Sequence, residues 1–276
     1  MALNSHQLSF LLLLLLWAAT SISAGPPALS LEHIDPTLPP LLIPGGQKPT
    51  CSVVVLQQDF VNTVGSPPAS ANYTQPRKCP FPWSRVVLEL SVSASDLQKD
   101  RIAAVWIDGA EVLRTTTPIP NAPGAFWKIE KDITRYAALL RRLGRSGPNG
   151  TGGVISMMLE NSNKALPGVY SANVSLHFYR GAMAETTKLG ATAHPSIKGL
   201  YREPADLIIP LSNENGYFGS GFWFRVENDS HVVSSAVKIP MNSYRAVLEI
   251  FLSYHGDDEN WYFFDSAQIR SLYTSN

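Results

Sequence analysis

A strand-like run occurs twice in this chain, about 160 positions apart, and each copy leads into a group of acids. The first reads Arg85-Val86-Val87-Leu88-Glu89-Leu90 and precedes Asp96 and Asp100. The second reads Arg245-Ala246-Val247-Leu248-Glu249-Ile250 and precedes Asp257, Asp258 and Glu259. Alternation rich in β-branched residues has the two-residue period of a half-buried strand rather than a helical period. The repeat therefore predicts two related β units whose equivalent strands carry carboxylates to equivalent loops. Paired carboxylates between two such units are raw material for hydrolysis, because one can take a proton while another gives one.

The rest of the chain agrees with a β architecture. Strands are predicted at 52–57, 85–93, 102–107, 110–114, 127–131, 154–160 and 170–179. A polar loop, 94–100, separates the second strand from the third, and Asp108-Gly109 separates the third from the fourth. That dipeptide between apolar runs is a strong hairpin signal, because both turn positions need positive φ. One short helix is predicted from Asp132 as N-cap through Ile133, Tyr136, Leu139, Leu140 and Leu143. Residues 181–204 lose periodicity and read as a linker, after which strand patterns resume at 207–211, 221–227, 232–239 and 244–254, with a fragment at 261–264. The expected fold is all-β, an antiparallel jelly-roll or sandwich domain over 51–180 followed by a partial second jelly-roll domain over 205–276. About 80 residues follow Asp100 inside the first unit and 16 follow Asn260, so the second unit is expected to lack its later half. Such a unit would leave apolar runs such as 222–224 and 248–252 without cover.

The amino terminus sets the compartment. Leu11 to Leu16, then Trp17 and the small residues around Ala24, form an apolar run too short to span a bilayer, read as a secretory signal over 1–24 despite an n-region without Lys or Arg. Proline-rich residues 25–50 form an extended entry segment. No later run is long and apolar enough to span a membrane, so no membrane association is expected once the signal is removed. Four N-glycosylation sequons begin at Asn72, Asn149, Asn173 and Asn228, which suits a secretory glycoprotein. Cys51 and Cys79 would then pair in an oxidising compartment, and two sulfurs exclude a cysteine zinc site. Formal net charge is zero and basic residues are dispersed, which excludes a nucleic-acid footprint. Arg141, Arg142 and Arg145 cluster at the end of the predicted helix, where cations suit the dipole.

The familiar catalytic motifs are absent: no G-x-S-x-G elbow, no H-E-x-x-H, no phosphate loop and no dinucleotide glycine fingerprint. The histidines have no ligand spacing, and His177, within a strand run, reads as structural. Acids and aromatics remain. Asp100-Arg101 stands at the mouth of a strand, where a side chain held by the sheet can face a cleft, or where an ordinary surface ion pair can sit. Asp257-Asp258-Glu259 reads as a catalytic cluster or a solvated turn, and Glu160, followed by Asn161-Ser162-Asn163, as a site acid or a turn cap. Trp83, Trp106, Trp127, Trp223 and Trp261 fit a sugar-stacking surface or a core.

Three long runs carry a more specific resemblance: 99–114, from Lys99-Asp100-Arg101 to Val112-Leu113-Arg114; 127–136, from Trp127 to Tyr136; and 170–179, from Tyr170 to Tyr179. With Cys51 to Phe60 and Ala71-Asn72-Tyr73-Thr74, they closely resemble the plant peptide-N4-(N-acetyl-β-glucosaminyl)asparagine amidase A family, from about residue 45 to Tyr262. That family looks like a relative of a bacterial glycoamidase built from two adjacent jelly rolls, whose catalytic aspartate opens a strand in a W-D-R-x-A-x-V context. Asp100-Arg101-Ile102-Ala103-Ala104-Val105 matches that element, with Lys99 in place of the tryptophan. The resemblance implies Asp100, Glu160 and Glu259 as the catalytic acids, Glu259 matching with one residue inserted before Trp261, and Arg101, Trp106 and Trp261 as substrate-binding residues. Residues 263–276 fit nothing in the family pattern, so the chain resembles a truncated or alternatively ended member.

The reaction implied is hydrolysis of the amide joining an N-glycan to asparagine, with N-glycosylated peptides or glycoproteins as partners, no metal or cofactor, and an apoplastic or vacuolar destination. Asp100 would be the base, Glu259 would face it across a cleft to position substrate or supply a proton, and Glu160 would orient Asp100 or bind the first sugar. A non-catalytic glycan-binding jelly roll and an inactive truncated isoform are the alternatives.

Overall fold

The computed structural model describes residues 46–120, 122–143, 153–180, 204–212 and 222–253, with positions 30, 31, 33–35, 37–39, 41 and 43 ahead of them. Eight strands form the body: β1 (Cys51–Phe60), β2 (Ala69–Tyr73), β3 (Arg85–Ala94), β4 (Ile102–Ile107), β5 (Ala110–Thr116), β6 (Ala125–Asp132), β7 (Gly153–Leu159) and β8 (Tyr170–Tyr179). They make two four-stranded sheets, ordered β1-β8-β3-β6 and β2-β7-β4-β5, with every pairing antiparallel. β1 to β4 alternate between the sheets, β4 and β5 form a hairpin within one, and β5 to β8 alternate again, the Greek-key sequence of a jelly roll, so the strand order alone defines the fold. Sequence patterning located seven of these strands and missed the short edge strand β2, whose Ala-Ser-Ala-Asn-Tyr has almost no β-branched character.

The first core lies between the sheets. Leu88, Leu90 and Val92 of β3, Val105 and Ile107 of β4, Trp127 of β6, Met157 of β7 and Leu176 and Phe178 of β8 are all within its buried cluster. One-faced strands alternate as the two-residue period demands: β6 is buried at Ala125, Trp127, Ile129 and Lys131 and more open between them. β4 is buried at every position, because its second face is covered as well. Ile102, Ala104 and Trp106 on that face join Met158 of β7 in a smaller core closed by Trp223 and Phe222. Burial on both faces explains why Ile-Ala-Ala-Val-Trp-Ile reads as a continuous apolar run.

Asp108, at φ 50°, and Gly109, at φ 81°, turn β4 into β5, as the Asp-Gly signal predicts. Cys51 and Cys79 are bonded, tying the start of β1 to the loop ahead of β3. The predicted helix is built differently at its start. Asp132 ends β6 and pairs with Arg85 at 3.3 Å. Its carboxylate accepts the Thr134 N–H and hydroxyl at 2.9 and 2.5 Å. A 3-10 turn, Thr134–Tyr136, then leads into helix α1 (Ala137–Leu143).

The greatest departure from the sequence pattern is downstream. Among the described residues of 204–212 and 222–253 no strand is formed, although four strand runs are predicted there. Turns occur at the expected breaks, where the His231 N–H reaches Asn228 O at 3.2 Å and the Ser243 N–H reaches Pro240 O at 3.0 Å. The runs between them lack ladder neighbours. Side chains suited to a sheet interior, such as Val232, Leu248, Ile250 and Leu252, are exposed, Leu252 at 83%. The predicted linker 181–204 lies outside the described residues except for its last position.

Candidate active site

Asp100 and Glu160 are brought to one end of two neighbouring strands. β4 pairs with β7 with Ala103 opposite Leu159, and the Glu160 N–H continues the ladder to Ile102 O at 3.3 Å. Asp100 lies two residues before Ile102, in the loop that enters the same end of β4. Asp100 is half-buried and Glu160 is buried.

The backbone around Asp100 is fixed on both sides. Lys99 O accepts the Tyr170 hydroxyl at 2.7 Å, the Arg101 N–H donates to Thr117 Oγ1 at 2.9 Å, and Arg101 O accepts the Thr117 N–H at 2.8 Å. Burial pushes the Tyr170 phenol up, opposed by its bond with Thr117 and by the Arg101 charge, while the Asp100 charge adds to the rise. The phenol thus stays a neutral donor beneath the loop, within reach of the Asp100 field.

Two side chains that sequence reading passed over hold the loops together. Gln98 is 2% exposed and donates to Ser162 O, Leu166 O and Gly168 O at 3.4, 3.2 and 3.0 Å. Its Oε1 accepts from Arg101 Nη2 and from the Lys99 N–H, each at 3.0 Å. Asn161 is fully buried, and its amide donates to Phe60 O, Val61 O and Gly168 O at 2.9, 3.1 and 3.0 Å. Gly168 is required by proximity, since a Cβ there would sit 2.7 Å from Leu97 O and 2.9 Å from Asp96 O. Asn161 was visible in the sequence as a turn residue, but nothing marked Gly168 as a close-approach site or Gln98 as the hub between the loop before β4 and the loop after β7.

The remaining candidates fall in different places. Arg101 is half-buried, and its Nη2 donates to Gln98 and, at 3.4 Å, to Ser162 O, which braces the loop. Trp106, expected as a substrate surface, is fully buried under Phe222 and Trp223, with ring centroids 5.2 and 5.6 Å away. This corrects that expectation: an indole closing a two-sided strand has no free face for a sugar. Glu259, Trp261 and Asn149 lie outside the described residues. Asn72 is exposed on the edge strand β2, Asn173 is half-buried on β8, and Asn228 is exposed in the downstream segment. His177 accepts or donates a 2.8 Å bond with Ser52 and lies 3.5 Å from Glu89, on the opposite sheet.

The downstream segment supplies the rest of the neighbourhood. Arg225 Nη2 approaches Glu160 Oε1 at 3.5 Å, and Trp223 lies 5.4 Å from the Arg114 guanidinium. Arg114 forms a bidentate pair with Glu111 at 2.6 and 2.9 Å, both side chains nearly buried, and donates to Ser253 Oγ at 3.1 Å. Glu249 accepts from both Arg135 and the Tyr136 hydroxyl. Burial pushes the Glu111 carboxyl up against the pull of Arg114, and burial brings the Lys131 amine down to about 8 despite Glu249. Among the described residues no group of three or more His, Cys, Asp or Glu gathers as a metal site, and no helix is long and apolar enough to cross a membrane.

Strand order and strand-end acids define a class: a jelly roll with two acids at one end of neighbouring strands, and described residues of a following segment in contact with it. The family model described as peptide N-acetyl-β-D-glucosaminyl asparaginase amidase A matches residues 39–273, and the chain belongs to that family. It is 37% identical over 245 residues to peptide-N4-(N-acetyl-β-glucosaminyl)asparagine amidase A of Prunus dulcis, covering 88% of this chain. The match spans 40% of that relative's length. Among solved structures, the Tobacco streak virus coat protein dimer matches at TM-score 0.20 and 9% identity, over 54% of this chain and all of that one. A nora virus structure matches at TM-score 0.22 and 13% identity, over 66% of this chain and 76% of that one. At such scores the jelly-roll assignment rests on the strand order itself.

Proposed function

We propose that this chain belongs to an amidase that cleaves the bond between an N-glycan and its asparagine. In the proposed reaction Asp100 takes a proton from water as the water oxygen adds to the asparagine side-chain carbonyl carbon. Collapse of the tetrahedral intermediate breaks the carbon–nitrogen bond, and the departing nitrogen receives a proton. The products are aspartate in the peptide and a glycosylamine, which water converts to the free sugar and ammonia. Glu160 orients Asp100 and the attacking water. Glu259, in the proposed second, partial jelly-roll unit over 205–276, supplies or relays the proton.

What supports this reading is that Asp100 and Glu160 stand at the same end of β4 and β7, on loops tied together by Gln98 and Asn161. Catalytic groups need a rigid support, because a displacement of about 1 Å can cost on the order of a hundredfold in rate. The substrates are N-glycosylated peptides or glycoproteins. The protein works in the secretory pathway, in apoplast or vacuole, and carries its own glycans on its sequons.

The test is a glycopeptide incubated with the secreted protein in heavy-oxygen water. Aspartate carrying one heavy oxygen at the former glycosylation site supports amidase chemistry. Binding of the glycopeptide without conversion would favour a non-catalytic glycan binder.

A further inference from the structure

We propose that Arg225 is the positioning residue for Glu160, delivered to the site by the aromatic pair just before it. This rests on the amidase reading given above.

The argument starts from burial. The Glu160 side chain is 5% exposed, and a carboxylate so enclosed needs charge compensation in a defined geometry. Arg225 meets it at 3.5 Å from a side chain that is 45% exposed, so the guanidinium reaches inward from the segment rather than being part of the sandwich. A guanidinium presents several donors in a planar fork and keeps its charge at any working pH.

An exposed arginine on a flexible run would seldom hold a carboxylate in one place. Arg225 is anchored two residues away. Trp223 is 7% exposed, lies against Trp106 and Arg114, and shares the small core with Ile102, Ala104 and Met158. Phe222 adds an edge contact to Trp106. That core lies directly along β4 and β7 from the strand end where Glu160 sits. Trp106 to Ile102 is four residues, about 13 Å of strand, which two residues of chain and an extended arginine side chain span together. Burial of Trp106 thus has a use: it seats Trp223, and Trp223 seats Arg225.

In the reaction, Arg225 offsets the Glu160 charge beside Asp100 and keeps one Glu160 oxygen turned toward the water that Asp100 deprotonates.

The experiment uses the full secreted chain as parent, Arg225→Ala, Arg225→Lys, Glu160→Gln and Arg225→Ala with Glu160→Gln, assayed on one glycopeptide and by denaturant unfolding. Arg225→Ala is expected to lower kcat about tenfold or more with little change in KM. Arg225→Lys is expected to recover part of that loss, since a point charge replaces the fork. The double variant should be no slower than Glu160→Gln alone, and unfolding midpoints should combine non-additively. Normal kcat in Arg225→Ala, or independent multiplication of the two losses, overturns the proposal. A parent without turnover defeats the amidase reading instead. Additive unfolding midpoints then also overturn the Arg225–Glu160 link.

Discussion

The jelly roll and the segment behind it are written in the same alternating code, yet among the described residues only the jelly roll forms sheets. In β3, Val86, Leu88, Leu90 and Val92 are buried between two ladder neighbours. In the second copy of that pattern Val247, Leu248 and Ile250 are each more than half exposed, and no ladder forms among the described residues. Alternation specifies which face of a strand is apolar, but partners make the strand. What holds the segment is a handful of side chains reaching to the sandwich: Trp223 on Trp106, Arg225 on Glu160, Glu249 on Arg135 and Tyr136, and Phe251 4.7 Å from the Lys131 amine.

The largest contrast is in the cores. Trp127, 1% exposed and edge-on to Tyr170 at 5.7 Å, should cost about 3–5 kcal/mol when changed to alanine. Leu252→Ala should cost less than about 0.5 kcal/mol. Denaturant unfolding of both checks this, and comparable losses would mean that the two regions are packed alike.

Next comes the buried amine at the contact between them. Lys131 titrates near 8 because burial disfavours its charge. Below that pH it is protonated folded and unfolded alike, and the burial cost is carried in full. Between pH 8 and 10 the folded chain releases the proton while the unfolded chain keeps it, so Lys131 makes stability rise with pH. The whole shift corresponds to about 3 kcal/mol, of which this window recovers most. Lys131→Met should flatten the rise, and an unchanged pH slope would place the amine in water.

Gly168→Ala pushes a Cβ against the backbone of the loop before β4 and should cost about 1–3 kcal/mol. Its kcat should fall further than that of an equally destabilised core variant remote from the loop, because the displaced loop carries Asp100. Glu249→Gln should change stability by less than about 1 kcal/mol, since that ion pair is about one-third exposed. Limited proteolysis should nevertheless cut the 222–253 segment sooner while leaving 51–180 intact.

These differences also mark what the sequence made legible. β4, β8 and the Asp108-Gly109 turn were readable because period and turn chemistry are local. The Cys51–Cys79 bond followed from there being two cysteines in a chain whose sequence reads as secretory. Asp100 and Glu160 were readable as acids at strand ends, but not as acids at the same end of paired strands, because the pairing of β4 with β7 joins residues far apart in sequence. Gln98 and Arg225 were invisible, since polar side chains become braces only when distant loops converge on them. Trp106 was misread because its outward face is covered by residues more than 100 positions away.

The most direct measurement is turnover of an N-glycosylated peptide in heavy-oxygen water by the parent and by Asp100→Asn. The account predicts labelled aspartate from the parent and a loss of at least a hundredfold in Asp100→Asn, with unfolding midpoint nearly unchanged, because an amide of the same shape cannot act as base. Near-parental turnover by Asp100→Asn would contradict it and move the chemistry away from the end of β4.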